Sequence, residues 1–347
     1  MIGGSGSGPI QRPRLSYGCF LQPRHPIKSP ALPAFGLLIV LVQGSCATKT
    51  AAAAPTPNRP PASGAVTDHV VVISIDGLRP DAITDEDVTL QRLIHEGTAA
   101  RVAQTILPST TLPSHTSMLT GLTPAQHGVT WNSDEVEPSG TIGVPTVFDI
   151  VHAAGFSTAA FFAKSKFHYL ERKGSLDHDE MPGFRQPSWT MARTMPRIER
   201  YLAESSPNLL FVHIGEPDYL GHGAGWMGPG YLRAVGMADE GVARVMAAAD
   251  KSFGAGHYTM IVTGDHGGHD KSHGTSDPRD MTIPWIVWGE GVQAGGTLAD
   301  TVHTMDTAAT VLWLFGIPRP DNWVGVPQTG GFTAEAREKV AVKLRGG

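Results

Sequence analysis

A chain of 347 residues, 41% hydrophobic and 17% charged, is long enough for one large α/β domain or two smaller ones. Its formal net charge of −5, with no Lys/Arg-rich run, argues against a basic face for nucleic acid. The two cysteines, Cys19 and Cys46, precede the expected folded region, so a processed domain would hold together without a disulfide.

The first sixty or so residues read as a leader. Scattered basic residues (Arg12, Arg14, Arg24, Lys28) precede the apolar run ALPAFGLLIVLVQGSCA, the layout of a secretory signal too short for a membrane span. Cys46 after VQGS is a candidate site for lipid attachment to a membrane, although Gln43 stands where an aliphatic residue is usual. The expected layout is a signal over 1–47, a low-complexity linker over 48–66, a catalytic domain over 67–330 and a tail over 331–347. Export to the periplasm or the medium follows from this layout, and no feature of it sets an oligomeric state.

From residue 69 the pattern alternates. HVVVISID (69–76) is a run of β-branched residues, as in a strand covered on both faces. LQRLIHEG (90–97) is helical and stops at Gly97, HTSMLTG (115–121) is a short helix after a proline-bearing turn, and VPTVFDIVHAAG (144–155) is a further helix. STAAFFA (157–163) is a strand, TMARTMPRIERYLAES (190–205) a helix, and NLLFVHIGEPD (208–218) a strand running into acid. The longest helix is predicted over 231–252, strands over YTMIVTGDH and MTIPWIVWG, and a closing helix over 304–316. This alternation predicts an α/β fold, a mostly parallel sheet with helices on both faces.

In open α/β sheets, reacting groups gather beyond the carboxyl ends of the strands. Three apolar runs deliver Asp76, Asp218 and Asp265 to that edge. GDHGGHDKSHG (264–274) adds His266, His269, Asp270 and His273, and PDYLGHG puts His222 four residues after Asp218, on the same side of one helical turn. Carboxylate with imidazole suits zinc, with manganese or iron as alternatives. A lone Asp-His pair is more often a surface feature; three such strand ends shift the balance toward a metal site. In LPSTTLPSHTSMLTG (107–121), Thr110 and Thr111 either react or merely cap the following helix, and the stretch by itself favours capping.

The segments VVVISIDGLRPD, PSTTLPSHTSMLTGLTPAQHGVTWN, EPDYLGHGAG and TGDHGGHDKSHGT, in this order over roughly 69–316, resemble the alkaline phosphatase superfamily. Within it they look most like the type I phosphodiesterase/nucleotide pyrophosphatase branch. The resemblance implies an alkaline-phosphatase-like sheet and two zinc ions, one held by Asp76, Thr111, Asp265 and His266, the other by Asp218, His222 and His273. It also implies Thr111 as nucleophile through a phospho-threonine, Asn132 as a donor to a phosphoryl oxygen, and a small phosphate ester or nucleotide as substrate.

Two departures stand out: Ser114 where the relatives usually have Asn, and a short interval from His266 to His273 in place of a long insertion, which makes His269 a competitor for the last ligand. TLPSH lacks the residues of the sulfatase frame C/S-x-P-x-R, which weakens that reading. Lys164 and Lys166 in FFAKSKFHYL resemble the K-x-R pair of some monoesterases, or are ordinary solvated lysines. Trp131, Tyr219 and Trp226 flank the ligand segments as stacking or packing groups, while His115, His127 and His213 read as structural. The leading expectation is an exported metal-dependent phosphodiesterase/nucleotide pyrophosphatase. A phosphomonoesterase or phosphonate hydrolase on the same scaffold is the rival, and a non-catalytic phosphate-binding envelope protein the alternative from another class.

Overall fold

The β-branched run at 70–75 becomes the centre of a sheet in the computed structural model, which describes residues 64–346 except Arg101 and 135–140. The signal over 1–47, Cys46 and nearly all of the linker lie outside the described residues. In chain order the strands are β1 (Val70–Ile75), β2 (Thr98–Ala100), β3 (Ala103–Gln104), β4 (Thr158–Phe161), β5 (His178–Glu180) and β6 (Leu209–Ile214). They continue with β7 (Thr259–Gly264), β8 (Thr282–Ile283), β9 (Trp285–Gly289), β10 (Gly296–Leu298) and β11 (Val302–His303). The helices are α1 (Val88–Glu96), α2 (Thr111–Thr120), α3 (Pro124–His127), α4 (Val147–Ala153) and α5 (Met191–Glu204). After them come α6 (Glu216–Ala224), α7 (Pro229–Phe253), α8 (Pro278–Met281), α9 (Asp306–Leu314) and α10 (Ala334–Gly346).

The large sheet has the order β10-β2-β9-β7-β1-β6-β4-β5, and the small one β11-β3-β8. β1 pairs in parallel with both β6 and β7, with Ile75 level with Ile214 and Gly264. In the large sheet β9 alone runs against its neighbours β7 and β2. Pro284 explains why MTIPWIVWG is not one strand: a residue without an N–H breaks the ladder, sending β8 to the small sheet and β9 to the large one.

Side chains alternate across a strand, and β1 shows the consequence. Val70 and Val72 enter a core with Leu112, Phe148 and Leu312 from α2, α4 and α9, while Val71, Ile73 and Ile75 enter another with Leu93, Ile198 and Val242 from α1, α5 and α7. Both faces are covered, so every residue of β1 is buried. No described helix is long and apolar enough to cross a membrane.

Four expectations need correction. Residues 331–347 are not a tail: α10 buries Ala336 and Val340 in the core, two apolar positions too sparse among Glu335, Arg337, Glu338 and Lys339 to advertise a face. The folded part also begins before 67, since Val66 is buried and donates its amide to the Leu314 carbonyl at 2.7 Å. Asp218 is not at a strand end; β6 stops at Ile214 and Asp218 lies in the first turn of α6. The short helix after the proline turn instead starts at Thr111 and includes Pro113, tolerated because first-turn amides have no partner within the helix.

One contact ties two helices of the same layer. The first-turn amides of Thr89 and Leu90 in α1 donate to the Asp239 carboxylate of α7 at 3.2 and 2.6 Å. Replacing Asp239 by Ala removes this cap, so urea unfolding should show a loss of about 1–2 kcal/mol, with Asp239→Asn losing less and activity per folded molecule unchanged.

Candidate active site

β1, β4, β6 and β7 are parallel neighbours, so their carboxyl ends share one edge of the sheet. Asp76 follows β1, Asp265 and His266 follow β7, Lys164 lies just past β4, and α6 brings Asp218 in after β6. The turn at Gly77 lets two acidic segments cross. Its φ of +72° suits glycine, and a Cβ there would meet the Asp218 Cα at 3.1 Å. The Asp218 amide donates to the Asp76 carbonyl at 3.0 Å.

Two clusters result, Asp76–Asp265–His266 and Asp218–His222–His273, each with its ligand atoms within 4.8 Å of one another. In each carboxylate one oxygen is tied down. Asp265 Oδ1 accepts from the Gly77 and His266 amides at 3.0 and 2.9 Å. Asp76 Oδ2 takes the Lys164 ammonium at 2.5 Å, and Asp218 Oδ2 takes it at 2.6 Å. The other oxygens, Asp76 Oδ1, Asp218 Oδ1 and Asp265 Oδ2, are buried without a hydrogen-bond partner.

The histidines are oriented in the same sense. His266, His222 and His273 place Nδ1 on the carbonyls of Gly267, Lys271 and Ser109 at 2.8, 3.0 and 2.9 Å. Each Nδ1 therefore carries the proton, and each Nε2 presents a lone pair to the site. His266 Nε2 lies 3.4 Å from Asp76 Oδ1 and 3.3 Å from Asp265 Oδ2, and the Nε2 atoms of His222 and His273 are 3.1 Å apart. Acceptors facing acceptors need a proton or a cation between them. Three orphaned carboxylate oxygens beside three inward imidazole lone pairs fit divalent cations, and an oxygen–nitrogen set without thiolate suits zinc, manganese or iron.

The charges agree with this fit. Burial pushes the Asp76 carboxyl up, but the Lys164 ammonium, followed by His213 and His266, holds it well below the usual range. Burial and the Asp76 charge also oppose ionisation of Asp218, and Lys164 again prevails. Asp265 makes no ion pair with Lys164; burial and then the Asp76 charge push it well above the usual range. Three carboxylates around one ammonium leave an excess of negative charge that a bound cation would relieve, ionising Asp265 as it did so.

Thr111 is the first residue of α2 and is buried. Its Oγ lies 3.4 Å from both His266 Nε2 and Lys164 Nζ. The capping alternative is not realised: the Thr110 hydroxyl makes no cap bond, and the Leu112 amide donates to Asn132 Oδ1 at 2.9 Å. Lys166 Nζ donates to the Asn132 carbonyl and Oδ1 at 2.8 and 3.1 Å. Burial and the neighbouring Lys164 charge bring the Lys166 ammonium down to about 8.

The structure thus brings Asp76, Thr111, Asn132, Lys164, Lys166, Asp218, His222, Asp265, His266 and His273 to one edge. Neither lysine is a solvated surface group, Lys164 being 7% exposed and Lys166 half-buried. His269 is outside both clusters, its Nδ1 bound to Asp280 at 2.7 Å. Trp226 packs: its Nε1–H donates to the Gly77 carbonyl, and its ring lies edge-on to His222 and His273. Tyr219 stands over Lys164 and Trp131 edges onto Tyr169.

Sequence reasoning passed over His115 and His213, which underlie the site. His115 donates Nδ1–H to the Thr111 carbonyl at 2.8 Å and accepts from the Ser74 hydroxyl at 2.8 Å. His213 contacts Asp76 at 3.0 Å. The available signal was a lone polar residue in each buried apolar strand, Ser74 in VVVISI and His213 in LLFVHI.

Comparison with known proteins gives a family match and a fold likeness. A family model described as type I phosphodiesterase / nucleotide pyrophosphatase matches residues 70–276. GPI ethanolamine phosphate transferase 1 of Emericella nidulans is 24% identical over 342 residues, covering 82% of this chain and 36% of that protein. The 2,3-bisphosphoglycerate-independent phosphoglycerate mutase of Roseobacter denitrificans is 32% identical over 128 residues, 35% of this chain and 24% of its own length. The chain thus spans only about a third of the length of the ethanolamine phosphate transferases it matches.

Among solved structures, murine ectonucleotide pyrophosphatase / phosphodiesterase 5 superposes with a TM-score of 0.61 at 14% identity, covering 74% of this chain and 97% of that one. A 2-O GAG sulfatase does so with a TM-score of 0.60 at 16% identity, covering 75% and 73%. At such identities the likeness shows the fold, an alkaline-phosphatase-like sheet between helical layers.

Proposed function

Because this chain belongs to the type I phosphodiesterase/nucleotide pyrophosphatase family, we propose that it is an exported metal-dependent hydrolase of phosphate diesters that uses Thr111 as nucleophile. The observation that carries this reading is the Thr111 hydroxyl, buried 3.4 Å from Lys164 Nζ and from the His266 ring nitrogen of one ligand cluster. Asp76, Asp265 and His266 would hold one cation and Asp218, His222 and His273 the other; zinc is the first choice. Bound there, divalent cations supply Lewis acidity and positive charge for phosphoryl transfer.

The chain's own groups have defined tasks in this reading. Thr111 Oγ, whose ionised form the adjacent Lys164 ammonium favours, attacks phosphorus as one ester P–O bond breaks and its alcohol leaves with a proton from solvent. Water then cleaves the phospho-threonine, releasing the phosphate product and restoring the hydroxyl. The Asn132 amide and Lys166 ammonium donate to phosphoryl oxygens as charge builds on them. Export rests on the leader's basic and apolar segments.

A second reading, a phosphomonoesterase, is favoured by one observation: two lysines converge on this edge, and a dianionic monoester gains most from them. Rates on a bis-aryl phosphate and on the matching aryl phosphate separate the two, a strong preference for the aryl phosphate replacing the first by the second. Adding glycerol as acceptor and measuring free against glycerol-bound phosphate tells hydrolysis from transfer.

The Lys166 role has a pH signature. Its ammonium is charged below about 8 and neutral above, so an incoming phosphate loses a cationic donor as pH rises. The expected result is a fall of kcat/KM on the basic side near this value, with the fall in kcat displaced upward because bound phosphate holds the proton. Lys166→Arg should abolish that limb, since a guanidinium does not titrate there; a limb unchanged in this variant assigns it to another group.

A further inference from the structure

β6 is a strand whose other residues, Leu209, Leu210, Phe211, Val212 and Ile214, are all buried and apolar. His213 is as buried as they are, 0% exposed, and it replaces a side chain that would pack there without needing polar partners. Both of its ring nitrogens are used. The Ala163 amide donates to Nδ1 at 3.3 Å, so Nδ1 carries no proton. Nε2 must then carry it and donate to Asp76 Oδ2 at 3.0 Å. The tautomer is fixed by a backbone group, and the ring is held edge-on by Phe167 and His115 at 4.7 and 5.0 Å between centroids.

This arrangement decides which oxygen Asp76 presents. Oδ2 is gripped from two elements, by His213 on β6 and by the Lys164 ammonium beyond β4, while Oδ1 has no partner and lies 3.4 Å from His266 Nε2. Ala163, which sets the His213 tautomer, is the residue before Lys164, so one short segment supplies both constraints. Lys164 is long and shared with Asp218; His213 is rigid and serves Asp76 alone.

We propose that His213 is a positioning residue for the cation held by Asp76, Asp265 and His266: its Nε2–H locks Asp76 so that Oδ1 faces that cluster. The proposal rests on the cation reading of the site. Outer-layer donors of this kind typically govern metal affinity by roughly 10–100-fold when removed. Histidine suits the task because a neutral ring with a fixed proton donates to the carboxylate without adding a charge to compete with the cation.

The test is zinc affinity and stoichiometry of the full chain, by competition with a chromophoric chelator, for His213→Leu, His213→Gln and His213→Asn. Leu abolishes the donor; Gln keeps an amide N–H near the Nε2 position; Asn carries one that falls short. The expected result is loss of affinity for one of two zinc ions by roughly 10–100-fold in the Leu and Asn variants, and by no more than a few-fold in Gln. The affinity for the second zinc should stay close to the parent's, while the melting temperature in excess chelator should fall in the Leu variant, which leaves the Ala163 amide without its partner. Should the Leu variant fail to fold, the contrast between Gln and Asn decides. Equal zinc affinity in Gln and Asn overturns the proposal, as does a folded Leu variant with parental affinity. A parent protein that binds no zinc, manganese or iron overturns the cation reading itself, a separate outcome.

Discussion

Thr111→Ala should reduce turnover of a bis-aryl phosphate by about 10⁴-fold or more while bound metal persists. The reasoning is a division of labour within the site. Thr111 offers a hydroxyl 3.4 Å from both Lys164 Nζ and His266 Nε2, whereas the nearby Asp76 carboxylate is committed to Lys164 through Oδ2 and to the cation cluster through Oδ1. The six carboxylate and imidazole groups of the two clusters are untouched by the substitution. The fold should tolerate it as well, because the backbone of Thr111 is held by His115 through its carbonyl at 2.8 Å. Metal content by elemental analysis and rate on one substrate check the two halves separately. Full activity in the variant would remove the nucleophile assignment. Simultaneous loss of rate and of metal would make Thr111 chiefly a ligand. Thr111→Ser, which keeps a hydroxyl, should retain measurable turnover where Ala does not.

What was readable in the chain follows from how each residue declares itself. The strand at 70–75 is continuous and β-branched, so its burial on both faces and the position of Asp76 could be taken from the letters. The same holds for Asp265 and His266 after β7. Asp218 was placed at the right edge and on a turn shared with His222, but the strand NLLFVHI was carried too far into GEPD, where Pro217 in fact sits in the first turn of a helix. α10 was missed because its buried face amounts to two small apolar residues. Lys164 and His213 were harder for a different reason. Nothing local distinguishes a buried lysine from a solvated one, and a histidine within a strand shows its purpose only when the neighbouring strands deliver Ala163 and Asp76 to its two nitrogens. Long-range pairing, not local pattern, carries that information.

Lys164→Met should destabilise the metal-free protein by about 3–5 kcal/mol, the usual consequence of removing one member of a buried ionic cluster. Lys164 Nζ is 2.5 Å from Asp76 Oδ2 and 2.6 Å from Asp218 Oδ2, and all three groups are buried. Without the ammonium, two carboxylates lose the charge that keeps them ionised below the usual range, and burial then drives them upward. Their folded values are depressed in the parent, so this stabilisation is present above the ordinary carboxylate range and is lost as pH falls through the depressed values. The oxygens that Lys164 grips are not the ones left open toward the cation clusters, so ammonium and cations can act together. Divalent cations would therefore compensate the lost charge, and the stability gap between variant and parent should narrow sharply when zinc replaces chelator in urea unfolding. A gap that is the same in zinc and in chelator would mean that Lys164 contributes packing alone. Lys164→Arg keeps the charge but substitutes a planar fork for a compact ammonium, so it should recover part of the stability and little of the rate.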